Sequence, residues 1–144
     1  GRRGCQRSEH PGRGLRQELV DELMAARRLV RTDPGTARPR VQDAKVALGE
    51  RGDPWWEPTA AGRRERVAAA IRVLLRHRAA DSSICPSEAA RVAGGESWRD
   101  LMDVVREVAA ELSGEGTVVV RQKGAEVDVT TATGPVRLAR GPAW

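Results

Sequence analysis

The stretch that decides the fold is SSICPSEAARVAGGESWRDLM, residues 82–102, which contains two helix-start signals twelve residues apart. At the first, a proline follows Cys85, and Glu88 is placed to accept a hydrogen bond from the Cys85 N–H, as in a capping box. At the second, Ser97 is a typical N-cap residue. A Gly-Gly pair lies between the two signals and ends the first helix. The pattern predicts two short helices joined by a tight turn.

The segments on either side complete this arrangement. Apolar residues recur at three and four before the turn and after it, which predicts a helix on each side, and short β-rich runs follow. A Gln122-Lys123-Gly124 turn between two such runs predicts a hairpin. The predicted elements are a helix over about 61–78, a one-ladder strand at 82–84, the two helices of the turn, a hairpin over 117–129 and an extended segment over 134–140. This order favours an α+β fold, a winged helix-turn-helix domain with the hairpin as its wing.

The first half of the chain predicts a different unit. Residues 1–14 are rich in Gly and Arg without apolar periodicity and are expected to form a disordered arm. Two helices follow, the first stopped by Asp33-Pro34-Gly35 and the second beginning near Pro39, and they form a helical hairpin over 15–52. A connector over 53–60 holds Trp55 and Trp56, expected to pin the hairpin to the winged-helix domain, which takes residues 61–144 with its C-terminal extended segment.

Composition limits the classes of protein that fit. The chain has 144 residues, of which 40% are hydrophobic, and carries a net charge of +5. Such a charge permits nucleic-acid binding without requiring it. No apolar run approaches the roughly 20 residues that span a bilayer, and no signal peptide is visible. The two cysteines, Cys5 and Cys85, suit reduced thiols better than a disulfide, so we expect a cytoplasmic protein without a membrane partner.

The residue types that carry catalysis are sparse. Cys85 at a helix start could be a nucleophile, but a nucleophile needs a base within reach, and His10 and His77 are the only histidines. We therefore interpret Cys85 as a buried capping residue. A zinc site needs about four ligands at set spacings, and no phosphate-binding glycine loop is present. We expect no catalytic, metal or cofactor residues, no small-molecule substrate and no enzymatic activity.

Nucleic-acid binding is the favoured hypothesis, although one feature opposes it. The helix after the turn, the usual reader of the major groove, carries Arg99 and Arg106 among four acidic residues. Arg121 and Lys123 lie at the predicted wing, and Arg137 lies in the last segment. We expect these five residues to contact duplex DNA, mostly through phosphate and with weak sequence preference. The alternative is a protein-interaction module that binds a protein partner through the acidic helix.

Several motifs also resemble a known family. ICPSEAARVAG, WRDLMDVVREVAAEL, GTVVVRQKG and GPVRLARGP, within residues 64–142, resemble the bacterial family catalogued as domain of unknown function 3253. The resemblance implies a winged-helix fold and no established activity. The segments LRQELVDELMAARRLV and KVALGERGDPWWEP resemble the amino-terminal part of actinobacterial relatives labelled Tol-type biopolymer transporters, but no spanning segment or export signal supports transport.

Overall fold

The fold combines helices with one small antiparallel sheet, as the α+β prediction requires. The computed structural model describes residues 13–53 and 59–144, so residues 1–12 of the predicted arm, with Cys5 and His10, and both Trp55 and Trp56 lie outside the described residues. The last two residues of the predicted arm, 13 and 14, already belong to the first helix. The helices are α1 (Arg13–Arg28), α2 (Pro34–Leu48), α3 (Ala60–His77), α4 (Pro86–Gly94) and α5 (Met102–Gly114), with a 3₁₀ segment at Gly95–Leu101. The strands are β1 (Ser83–Ile84), β2 (Val118–Gln122), β3 (Ala125–Glu126) and β4 (Arg137–Arg140).

The first two helices form the predicted hairpin, but the prediction for the start of α2 was wrong. Asp33 and Pro34 were expected to stop α1, but α1 already ends at Arg28. Asp33 is instead the N-cap of α2, its carboxylate accepts a hydrogen bond from the Thr36 N–H, and Pro34 occupies the first helical position. Pro lacks an N–H that this position would leave unsatisfied anyway. The later proline, Pro39, lies inside the helix rather than at its beginning.

The hairpin packs on α3 through apolar residues and buried ion pairs. Leu15, Leu19 and Leu23 of α1 belong to the same buried cluster as Ile71 and Leu74 of α3. The helical stripe of α3 that holds Ala69 and Val73 also holds Arg66, Arg72 and Arg76, all of which bond to α2. This stripe therefore faces the hairpin. The predicted docking is confirmed, whereas the predicted part played by the two tryptophans falls outside the described residues.

Asp43 is a buried carboxylate that pairs with two arginines of α3. It is 8% exposed, and its two oxygens accept hydrogen bonds from Arg72 Nε and Nη2, at 3.0 and 2.9 Å, and from Arg76 Nη1 at 2.7 Å. A second buried carboxylate, Glu22, is 1% exposed and accepts two bonds from Arg40 within the hairpin. Bidentate pairs of this kind fix the orientation of both partners.

The start of α3 is held by two side chains at the end of the connector. The hydroxyl of Thr59 accepts a hydrogen bond from the Gly62 N–H, so Thr59 is the N-cap. Asp53 accepts from both the N–H and the hydroxyl of Thr59, at 2.8 and 2.6 Å. These bonds lower the pKa of the exposed Asp53 carboxyl. The helix predicted over 61–78 is confirmed to within one residue at each end.

The capping interaction predicted at the start of α4 is also confirmed. Glu88 Oε1 accepts a hydrogen bond from the Cys85 N–H at 2.9 Å, and the Cys85 thiol lies 3.1 Å from the Ser87 hydroxyl. Glu88 also accepts two bonds from Arg78, which at the same time binds Glu18 of α1. Cys85 is only half-buried, so the expectation of a buried residue was wrong.

The second predicted helix start was wrong. Ser97 is not an N-cap but lies within the 3₁₀ segment, where its backbone angles are non-helical, and the regular helix α5 begins at Met102. Packing explains the difference. Leu101 contacts Gly94 so closely that a Cβ on Gly94 would lie 2.8 Å from a Leu101 methyl group, and Gly95 adopts a positive φ of 57°. The chain must therefore stay against α4 before it can begin α5.

The sheet differs from the predicted hairpin because the long partner of β2 is β4, which comes later in the chain than the predicted second strand. Its order is β1-β4-β2-β3, and the main antiparallel partner of β2 is β4, with Val120 opposite Leu138. At the predicted turn, β2 pairs only with the two-residue strand β3, where Gln122 lies opposite Ala125. The predicted second run therefore ends early, because Asp128 caps a turn through the Thr130 N–H and Val129 enters the core. The extended segment predicted over 134–140 supplies the central strand.

Replacement of Asp43 tests the buried ion pairs. We expect Asp43→Asn to lower the free energy of unfolding by about 2 kcal/mol or more, because two partly buried guanidinium groups lose their charged partner. Arg64→Gln is the control: Arg64 pairs with Glu107 and Glu111, which are 63% and 60% exposed, so its loss should cost much less than the loss of Asp43. Urea denaturation measures both. Equal losses would contradict a dominant role for Asp43.

Glu88 should make stability depend on pH. Burial alone would raise the pKa of Glu88, but the hydrogen bonds from Arg78 and Cys85 outweigh it, so the pKa lies below its ordinary value of 4.5. A lowered folded-state pKa adds stability above the unfolded value, and this stability is lost as pH falls through the folded value. Glu88→Gln should therefore be less stable than wild type at pH 7, and thermal melts at decreasing pH should show this difference shrinking below about 4.5. A difference that stays constant to the lowest pH would contradict this role.

Candidate functional site

The structure brings two of the five predicted contact residues together on the outer face of the sheet. Arg121 of β2 lies directly opposite Arg137 of β4, and both are exposed. Arg137 also donates hydrogen bonds to the hydroxyl and the carbonyl of Ser83, each at 3.0 Å. These two bonds hold the guanidinium of Arg137 against β1. Arg121 also lies opposite Glu126 of β3, which offsets part of its charge.

Lys123 occupies the tip of the β2–β3 turn. It is exposed, its φ is 53°, and the next residue, Gly124, has a φ of 84°. Two successive positive φ angles are typical of the tight turns that join hairpin strands. Lys123 therefore projects its charge from the end of the sheet, as the sequence predicted.

Arg106 has a structural task that the sequence did not reveal. Its Nη2 donates to the carbonyl oxygens of Val129 and Ala132, at 3.2 and 2.7 Å. These bonds attach the loop between β3 and β4 to α5. Arg106 is half-buried, and its Nη2 is directed towards backbone carbonyls of the chain itself.

Arg99 lies at the turn between α4 and α5, apart from the sheet residues. Its guanidinium stacks on Trp98, 4.4 Å from the ring centroid, and Arg91 of α4 stacks on the same ring at 4.5 Å. Trp98 is half-buried and packs against the core with part of its surface. Arg99 itself is exposed.

The exposed side of the 3₁₀ segment and α5 is acidic. The exposed acidic residues follow one another at helical spacing along this side, which is called the acidic face below; they are Asp100, Asp103, Glu107 and Glu111. Arg64 of α3 bonds to the last two, with 2.7 Å between Arg64 Nη1 and Glu107 Oε1. These two bonds raise the pKa of Arg64.

Three arginines of α3, together with Arg78 directly after this helix, are paired with carboxylates of the chain. Arg64 binds α5, Arg72 and Arg76 bind Asp43, and Arg78 binds Glu18 and Glu88. The sequence did contain a signal for these ion pairs. Acidic residues that border the apolar stripes of α1 and α2 must find partners when those stripes are buried.

A cleft opens where the hairpin meets the turn between α4 and α5. Its volume is about 560 Å³, and it lies between the end of α2, the start of α3 and the 3₁₀ segment. Arg66 and Leu101 are among its lining residues. Arg66 is half-buried there, and burial lowers its pKa. Nothing in the sequence indicates this cleft, because its walls come from three separate segments, residues 46–53, 62–66 and 93–104.

Other kinds of site find little support. Within residues 13–53 and 59–144, no group of three His, Cys, Asp or Glu residues is placed to hold a metal ion. In the same ranges, no helix is long and apolar enough to cross a membrane. Cys85 interacts with Ser87 and takes part in the cap of α4 rather than lining the cleft.

Comparison with known proteins identifies the family. None of the curated proteins compared with this chain matches it. Residues 64–141, which run from α3 to the residue after β4 and include the turn, α5 and the whole sheet, match a family described as "Protein of unknown function (DUF3253)". The match covers more than half of the chain, and this protein therefore belongs to the DUF3253 family.

Proposed function

We propose that the part of the chain from α3 onward is a winged helix-turn-helix domain. The order of α3, β1, α4, α5, β2 and β4 supports this proposal, as does the pairing of β4 between β1 and β2. The wing then comprises the end of β2, the short strand β3 and the loop that Arg106 attaches to α5. The amino-terminal hairpin packs against one side of α3, where its apolar face is buried. This packing gives no support for the transport role named in the label of the Tol-type relatives.

We further propose that this domain is a non-enzymatic, cytoplasmic protein-interaction module whose acidic face binds a basic segment of a partner protein. The acidic face is the observation that carries the proposal. It lies on the helix that a DNA-reading domain of this kind would insert into the major groove, where its charges would meet phosphate. A basic peptide segment or basic protein surface would instead be attracted to it.

The overall charge of the domain supports the same choice. Residues 64–141 contain 12 basic and 11 acidic side chains, so this region is close to neutral and lacks the strong positive charge typical of DNA-binding domains. Four of these basic side chains, those of Arg64, Arg72, Arg76 and Arg78, form ion pairs with carboxylates of the chain itself. Of the five predicted contacts, Arg106 and Arg137 donate to groups of the protein itself.

Removal of acidic charge tests the proposed docking surface. We expect a fluorescein-labelled peptide of alternating Lys and Ala to bind the full chain weakly. The double variant Asp100→Asn with Asp103→Asn should weaken this binding about fivefold or more, because each lost charge removes about 0.5–1 kcal/mol of attraction. Anisotropy at low salt measures the affinity. Rising salt should weaken wild-type binding as charge screening increases.

The control removes the same charge elsewhere. Asp21→Asn with Asp81→Asn neutralises two exposed aspartates outside the acidic face. This variant should bind the peptide as wild type does, within about twofold, since its acidic face is intact. If both double variants lose affinity equally, the peptide responds to net charge alone and the proposed docking surface is wrong.

Duplex DNA is the second candidate partner, and the exposed charges of the wing favour it. Arg121 and Lys123 are exposed at the end of the sheet, and Arg99 is exposed at the turn. We expect any binding of a random 20-base-pair duplex to fall for Arg121→Ala with Lys123→Ala on all sequences alike, and the salt slope to fall by about one unit per lost phosphate contact. Gel shifts and anisotropy at several salt concentrations measure both.

The DNA experiment also separates the two candidates. If wild type binds the duplex at low salt and the wing variant does not, DNA replaces the protein partner as the proposed ligand. If wild type has no duplex affinity even at low salt, the DNA candidate is wrong, and the peptide experiment alone decides the role of the acidic face.

A further inference from the structure

The cleft between the hairpin and the turn has the size and the walls of a small-molecule site. Its volume of about 560 Å³ falls within the range of roughly 300–1,000 Å³ that is common for ligand pockets. One side is apolar and is formed by Val46 of α2, by Leu101 and by Val104 of α5. The other side is formed by the start of α3 and the turn after α2.

Arg66 gives the cleft its charge. Its Nε donates to the Ala47 carbonyl at 3.2 Å, and its guanidinium lies against Gly49, where an added Cβ would be 3.0 Å from Nη2. Arg64, Arg72, Arg76 and Arg78 of the same helix are each bound to a carboxylate. Among the described residues, the hydrogen bond that Arg66 makes goes to a backbone carbonyl instead.

The energetic consequence is an uncompensated positive charge. Taking a guanidinium partly out of water is costly unless a negative partner repays it. Burial lowers the pKa of Arg66, while the carboxylates around Arg78 outweigh burial and raise the pKa of that residue. An anion that enters the cleft would supply the charge that Arg66 lacks.

The charges at the rim decide what kind of anion fits. Arg51 and Arg63 add positive charge, whereas Glu65 and Asp100 are exposed acids on the same rim. A third acid, Asp53, already accepts two hydrogen bonds from Thr59. A polyanion would be repelled by the rim acids, so a singly charged anion with an apolar body suits the cleft better.

We propose that the cleft binds a small organic carboxylate, with its carboxylate on Arg66 and its apolar body against Leu101 and Val104. A carboxylate can accept two parallel hydrogen bonds from a guanidinium, and Arg66 lines the cleft. The ligand would touch both the hairpin and the start of α5, so its binding would fix the position of the acidic face relative to the hairpin. This site does not depend on which macromolecule binds that face.

A titration with hexanoate tests the proposal. We expect amide signals of Gly49, Gly94 and Leu101 to shift in two-dimensional ¹H–¹⁵N spectra of the full chain. Hexanol, with the same apolar body and no charge, should bind about tenfold more weakly or not at all, since a hydrogen bond to a charged group contributes about 1.5–3 kcal/mol. Inorganic phosphate, which has charge without an apolar body, should also bind more weakly.

Variants assign the charge to its residue. Arg66→Gln should weaken hexanoate binding about tenfold, while the matched control Arg64→Gln, on the same helix but outside the cleft, should leave it unchanged. Glu65→Gln removes an exposed rim acid and should strengthen binding about twofold, because it removes a repulsive charge. This last variant keeps the test decisive if Arg66→Gln fails to fold. Binding of hexanol as tight as that of hexanoate, shifts away from the cleft, or no effect of the Arg66 and Glu65 changes would overturn the proposal.

Discussion

The carboxylate of Asp43 is buried between α2 and α3, where it accepts hydrogen bonds from Arg72 and Arg76. A buried ion pair forms only in good geometry, because both charges lose water. This requirement fixes the rotation of α2 about its axis and its height along α3. Glu18 sets the position of α1 in the same way through Arg78, which also reaches Glu88 of α4. One helix thus organises the hairpin and the helix that precedes the turn.

The sequence predicted those parts of the fold whose signals act locally. The cap at Cys85 and Glu88, the extent of α3 and the hairpin of α1 and α2 depend on residues a few positions apart. The start of α5 could not be found this way, because Ser97 has the chemistry of an N-cap while the contact of Leu101 with Gly94 decides its conformation. Asp33 and Pro34 carried a second ambiguity, since the same two residues can end one helix and begin the next.

The candidate site was predicted less well than the fold, and long-range pairing is the reason. Arg106 has the same appearance in the sequence as Arg99, yet one is bonded to the loop beyond β3 and the other is exposed on Trp98. Asp43 and Arg72 are 29 residues apart, so composition counts both as surface charge although they neutralise each other. A chain with a net charge of +5 can therefore contain a domain whose outer helix is acidic. The cleft could not be predicted for the same reason, since three separate segments of the chain form its walls.

The strand order has a consequence for the way the domain is made. The central strand of the sheet, β4, is the last to be synthesised, and both β1 and β2 pair with it. Ile84 and Leu138, which lie opposite each other and are fully buried, are 54 positions apart in the chain. During translation the helices can pack as they emerge, but β1 and most of β2 have no partner until residues 137–140 leave the ribosome. The sheet can therefore be completed only late in synthesis, and a ribosome that stalls before this point holds a nascent chain in which β1 and most of β2 lack their partner strand.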